Sequence, residues 1–383
     1  MRSGYARSVP SLDVDRILAD RGVRIVVCCG SGGVGKTTTA AALALRAAEH
    51  HGRRTVVLTI DPARRLAQSL GLTELDNTPR QVKGLVDETG GELHAMMLDM
   101  KRTFDEVVLT HTDPNRAAEI FANPFYQAMS STFSGTQEYM AMEKLSQLHA
   151  RDEWDLIVVD TPPSRSALDF LDAPARLSRF LDGRMLRLLL APARTGGRSV
   201  FTLMTASFNV FTRVVQKILG AQLLTDLSGF VAALDSMFGG FRQRAEQTYR
   251  ILQAQETAFL LVAAPEPDAV REAAFFARRL GEERMPLAGL VLNRVHRTAV
   301  AGLSPEASLA AAAELDRTGG HEATADALRV HAALAQQTAR EHRVAAVFTD
   351  AFPRVPTVEV TAQPADIHDV DGLRTVGEAL SRR

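Results

Sequence analysis

Residues 30–37 read Gly30-Ser31-Gly32-Gly33-Val34-Gly35-Lys36-Thr37, a complete G-x-x-x-x-G-K-[ST] pattern. Its chemistry follows from residue type. Glycines let the backbone curl until successive N–H groups point into one concavity and bind anionic oxygens. Lys36 adds a cation that can reach β- and γ-phosphates, and the Thr37 hydroxyl can ligate Mg²⁺. The flanks agree. Residues 24–29 are a short apolar run that reads as a buried parallel strand. Residues 38–50, Ala-rich with Leu43 and Leu45, read as a helix whose N-terminus, at Thr38, faces the phosphates. The pattern therefore predicts a nucleotide site formed by residues 30–38.

Further apolar runs recur at 55–60, 93–98, 155–160, 258–263, 287–292 and 355–360, with helical periodicity at 267–281, 305–316 and 324–343 between them. Most runs are nearly continuous rather than alternating, as strands covered on both faces are. This predicts an α/β fold of the P-loop NTPase kind, a doubly wound, mostly parallel sheet with its ligand at the C-terminal strand ends. Residues 101–150 and 165–253 break the rhythm and read as helical throughout, with an apolar stripe along 200–218. The expected organisation is a tail at 1–21, a core at 22–100, 151–164 and 254–383, and a helical subdomain inserted twice.

Composition narrows the partners. With 46% hydrophobic residues in 383 and a net charge of −1, there is no electrostatic case for nucleic acid or an anionic membrane. Cys28 and Cys29 are adjacent on a strand, so they read as small core residues, and no C-x-x-C pair suggests zinc. Residues 1–20 lack the apolar core of a secretory signal, and no run is long enough to span a bilayer, so a cytoplasmic location is expected.

Two strands end in an acid, Asp61 followed by Pro62-Ala63, and Asp160 followed by Thr161-Pro162-Pro163-Ser164. An NTPase needs such a strand-end acid to hold Mg²⁺, usually through water. With the loop, these motifs resemble the arsenite-pump ATPase family, which includes targeting ATPases for tail-anchored membrane proteins. Ala264-Pro265-Glu266-Pro267 and Val291-Leu292-Asn293 extend the resemblance, which covers about residues 22–380. It implies ATP and Mg²⁺ as cofactors and a dimer that handles a membrane-related client. Lys36 and Asp61 would be catalytic, Asp61 as base or orienter of the attacking water. Thr37 and Asp160 would hold Mg²⁺, Asn293 would read the adenine edge, Glu266 would sit in the nucleotide site, and residues 361–364 would cover the base.

The chain departs from the family at Ser31, where a lysine usually reaches across a dimer interface. Three arrangements stay open: a heterodimer whose partner supplies the lysine, a homodimer with slow turnover or another cation, and binding without hydrolysis. A second function also stays open, in which the chain is chiefly a regulatory subunit. Arg64, Arg65 and Arg165 also replace usual family residues, as cations for the site or as solvated surface charges. The family's arsenite-binding and zinc cysteines are missing. Phe104, Phe121, Phe125, Met129, Phe133, Met140, Met142, Met185, Met204, Phe208, Phe211, Met237 and Phe238 lie in the helical stretches. They read either as an adaptable surface for a client helix or as a private core. Residues 366–383 lack the strongly basic amphipathic helix that attaches division-site ATPases to membranes.

Overall fold

The computed structural model describes residues 10–61, 65–86, 89–124, 126–127, 136–162, 244, 246–300 and 302–382. Eight strands form one sheet: β1 (Ile25–Cys29), β2 (Arg54–Thr59), β3 (Arg80–Gln81), β4 (Glu92–Met97), β5 (Leu156–Asp160), β6 (Thr257–Ala263), β7 (Leu287–Val295) and β8 (Thr357–Thr361). Their order is β3-β4-β2-β5-β1-β6-β7-β8. Every pairing is parallel except that of the two-residue β3 with β4. The first strand thus lies inside the sheet, and the chain winds outward from it in both directions. The crevice for a ligand opens at that reversal, beyond the C-terminal end of β1.

The apolar runs became strands because both their faces are covered. β1, β5 and β6 are buried at every position. Cys28 and Cys29 are among these buried residues. Burial pushes the Cys29 thiol up to about 12 and raises Cys28 as well, so both are protonated at neutral pH.

Helix α1 (Val14–Ala19) begins at Asp13, whose carboxylate accepts from the Arg16 amide at 3.0 Å. Helix α2 (Lys36–His51) carries alanines at 40, 41, 42, 44, 47 and 48, all buried, which let it lie close on the sheet. It ends at Gly52, in the left-handed conformation that favours glycine. Next comes Arg53, fully buried, which donates to the carbonyls of Leu18, Asp20, Val23 and Asp155. Burial pushes its guanidinium down to about 10. These carbonyls precede β1 and β5 or follow α1, so the knot closes the sheet at the end away from the loop.

Residues 10–20 were expected to be part of a tail, and this is corrected. Ser11 bridges to Thr357 of β8, and Val14 and Leu18 are buried in the core. Six helical residues are too few to show a period, which is why the sequence concealed them. After β2 comes α3 (Arg65–Ser69).

The described residues fall into two compact units. One comprises those within Met1–Met97, Leu148–Leu168 and Ile251–Arg383, the other those within Leu98–Gln147 and Asp169–Arg250. The second includes α4 (Met100–His111), α5 (Pro114–Ala122) and most of α6 (Thr136–Ala150). Asp99 and Asp113 cap α4 and α5 by accepting from their first-turn amides. Phe104, Met140 and Met142 are buried and Phe121 is half-buried, its ring tilted against that of Tyr126. Those four serve the core reading. The other Phe and Met residues of that set, and the stripe along 200–218, lie outside the described residues.

The first unit continues with α7 (Pro267–Glu282), α8 (Pro305–Thr318), the long α9 (Glu322–Ala351) and α10 (Val370–Ser381). Leu373, Val376 and Leu380 of α10 are buried, and the helix packs on α2. Its apolar face is thus occupied within the fold. Among the described residues no helix is long and apolar enough to cross a membrane.

Candidate nucleotide-binding site

The loop between β1 and α2 is fixed by contacts from two other strands. A Cβ on Gly30 would stand 2.0 Å from the Val262 carbonyl oxygen of β6. Gly35 has φ 92, and a Cβ there would stand 2.3 Å from Nδ2 of Asn293 on β7. Only glycine fits either position. Gly35 is also the N-cap of α2, with no side-chain cap and no acid in the first turn. The first-turn amides are thus left for an anion.

Lys36 is buried to 6% exposure, and its Nζ donates to the Ser31 carbonyl at 2.6 Å. Burial lowers its pKa, against the opposing pull of Asp160, Cys29, Asp61 and Glu272. The Ser31 hydroxyl is buried and has no hydrogen-bond partner.

Asp160 ends β5, between β1 and β2, and is fully buried. Its Oδ2 accepts from Thr37 Oγ1 at 2.8 Å and from Thr59 Oγ1 at 2.9 Å, while Oδ1 has no partner. Burial raises its pKa to about 6, opposed by the Thr37 and Thr59 hydrogen bonds and by Lys36. Thr59, opposite Asp160 in register, also accepts from the Asp61 amide at 3.2 Å. One hydroxyl therefore joins the two strand-end acids. Sequence reading missed Thr59, because its role depends on which strand lies beside β2.

These atoms suit a magnesium nucleotide. A buried hydroxyl without an acceptor matches a phosphate oxygen, and a buried carboxylate oxygen without a donor matches a metal-bound water. One carboxylate and one hydroxyl is also how Mg²⁺ is held when phosphates and water complete its shell. Among the described residues no group of three or more His, Cys, Asp or Glu could hold a metal by itself.

On the other side of β1, Asn293 Nδ2 donates to the Val34 carbonyl at 2.9 Å. The β7–β8 register shifts between Asn293 and Val295, and Arg294 sits at φ 62, so the strand bulges there. Ala362 donates to the Val295 carbonyl at 3.0 Å, bringing the start of the 361–364 segment beside that bulge. Glu266 is exposed at the N-cap of α7 and makes no capping bond with its side chain. Glu272, six residues on, has a buried Oε1 without a partner and acts electrostatically on Lys36. It too was missed, since an acid among the other charges of an amphipathic helix carries no motif. Arg65 is exposed at the start of α3. Arg64 and Arg165 lie outside the described residues.

The family model described as "Anion-transporting ATPase" matches residues 23–302. The chain is 27% identical over 168 residues to "ATPase GET3" of Malassezia globosa, covering 44% of this chain and 47% of that protein. It is 30% identical over 160 residues to a "Putative arsenical pump-driving ATPase" of Prosthecochloris vibrioformis, covering 41% and 37%. A third similarity, 27% over 188 residues, is to "Putative arsenical pump-driving ATPase 1" of Aquifex aeolicus, covering 46% and 45%. In each case the match spans less than half of the relative's own length. The matched model takes in the loop, both strand-end acids and Asn293, and on that breadth the chain belongs to the anion-transporting ATPase family.

Proposed function

We propose that this chain binds ATP with Mg²⁺ at the loop of residues 30–38 and hydrolyses it, as a cytoplasmic nucleotide-switched dimer. Hydrolysis would be coupled to the handling of a membrane-related client or transporter. The observation that carries the reading is Asp160: one oxygen held by Thr37 and Thr59, the other buried without a partner beside a phosphate-binding loop.

The roles follow from the atoms. Lys36 exchanges its internal acceptor, the Ser31 carbonyl, for phosphate oxygens. The loop amides and the α2 N-terminus hold charge already on the nucleotide and charge that develops during transfer. A bound Mg²⁺ would supply neutralising charge to the phosphates, and Thr37 and Asp160 would hold it, Asp160 through water. Asp61, kept at the end of β2 by its amide bond to Thr59, orients the attacking water. Asn293 reads the adenine edge, Glu266 sits in the nucleotide site, and residues 361–364 cover the base.

Ser31 has no charge to offer a transferring phosphoryl group, in this chain's site or in a partner's. The dimer is either a homodimer, turning over slowly or with another cation in that role, or a heterodimer with a related chain. Asp61→Asn tests the central role: it should bind ATP as the wild type does and hydrolyse it at least about a hundredfold more slowly. Unchanged turnover would refute Asp61 as the group that handles water.

A further inference from the structure

We infer that Asn293 is a positioning residue for the phosphate loop as well as a reader of the base, so that one side chain couples the two ends of the nucleotide. The inference rests on the proposed ATP site and deepens it.

The observations concern a single amide. Asn293 Nδ2 donates to the carbonyl of Val34 at 2.9 Å, inside the loop and next to Gly35. The contact is so close that a Cβ on Gly35 would meet the same nitrogen at 2.3 Å. Asn293 is thus built into the loop wall, from a strand two places away from β1 in the sheet.

The hydrogen-bonding capacity of the amide is limited. A primary amide has two N–H donors and one carbonyl acceptor. One donor is spent on Val34, which leaves one donor and the acceptor. That remaining pair is the set that matches the N7 acceptor and N6 donor along one edge of adenine. A side chain used in full on both sides cannot shift toward the base without pulling on the loop.

Its strand end is also held rigidly. The bulge at Asn293–Val295, with Arg294 at φ 62, sets the direction in which Asn293 leaves β7. Immediately beyond it, the buried Glu341 of α9 accepts from the His296 amide at 2.8 Å and lies 2.7 Å from its Nδ1. Gln337 bonds the same carboxylate at 3.0 Å, and Thr338 Oγ1 donates to the His296 carbonyl at 3.2 Å. The anchor of the strut therefore does not depend on nucleotide.

The test uses the full chain and a ligand without a base. Calorimetry would measure ATP, ITP and inorganic tripolyphosphate, each with Mg²⁺, on wild type, Asn293→Ala and Asn293→Leu. Two variants are used so that one misfolded protein leaves the other to decide, and thermal unfolding identifies folded material. Wild type should bind all three and prefer ATP to ITP. Both variants should lose that preference, and their affinity for tripolyphosphate should fall about three- to tenfold, the worth of one hydrogen bond.

Variants that lose base preference but keep wild-type affinity for tripolyphosphate would reduce Asn293 to a base reader and overturn the inference. Loss of tripolyphosphate affinity with base preference intact would overturn the coupling. Wild type that binds ATP but not tripolyphosphate would show that the loop is not set before the base arrives, and this too would overturn the inference. Wild type that binds none of the three would instead remove the ATP reading itself.

Discussion

A single hydroxyl, Thr59 Oγ1, stands between the two acids proposed for the site, donating to Asp160 and accepting from the Asp61 amide. Its contribution can be read through protons. The Asp160 carboxyl, raised by burial to about 6 from an ordinary 3.8, favours the folded ligand-free protein when protonated. That contribution is complete below about 3.8 and is lost as pH rises through about 6. Mg²⁺ reverses the preference, since it needs the ionised form. Binding of Mg²⁺ with nucleotide should therefore release about half a proton from this group at pH 6 and almost none at pH 8. Calorimetry in buffers of different ionisation enthalpy measures this. Thr59→Val removes a bond that holds the carboxylate down, so its release window should move above pH 6, and Mg²⁺ should tighten nucleotide binding about three- to tenfold less. Thr59→Ser should behave as wild type. An unshifted window in Thr59→Val would contradict the bridge. At this scale short motifs made the meeting of Lys36, Thr37 and Asp160 legible, because each has a fixed place in such a pattern. The places of Thr59 and Glu272 beside them were not legible, because they arise from cross-strand register and from helix packing.

At the scale of elements, continuous apolar runs located seven strands to within about three residues, and Ala-rich or periodic segments located α2, α7, α8 and α9. What escaped was short. α1, α3 and β3 have six, five and two residues, fewer than two periods of their own pattern. α10 escaped for another reason: the absence of strong basic charge is its conspicuous feature, and it masks an ordinary apolar stripe at Leu373, Val376 and Leu380, buried in the fold. Arg53 joins such elements, taking in carbonyls before β1, before β5 and after α1. Removing it leaves buried carbonyls without donors. Arg53→Met should cost about 2–4 kcal/mol of stability in urea unfolding and leave nucleotide affinity of the folded protein unchanged. A loss below about 0.5 kcal/mol would show that the knot is dispensable.

On the scale of the whole molecule, the chain combines a mostly parallel α/β sheet with a second unit whose described residues form helices, and its near-zero net charge gives no electrostatic case for polyanions. The family match takes in residues 23–302, from before β1 to beyond β7. Everything proposed for client and dimer presupposes that the loop grips a triphosphate. The most direct measurement is a calorimetric titration of ATP, with and without Mg²⁺, into the full wild-type chain and into Lys36→Ala. We expect one Mg²⁺-dependent site per wild-type chain, and binding weakened at least about a hundredfold in Lys36→Ala. No binding to folded wild type, or equal binding to both proteins, would contradict the loop as the seat of the nucleotide.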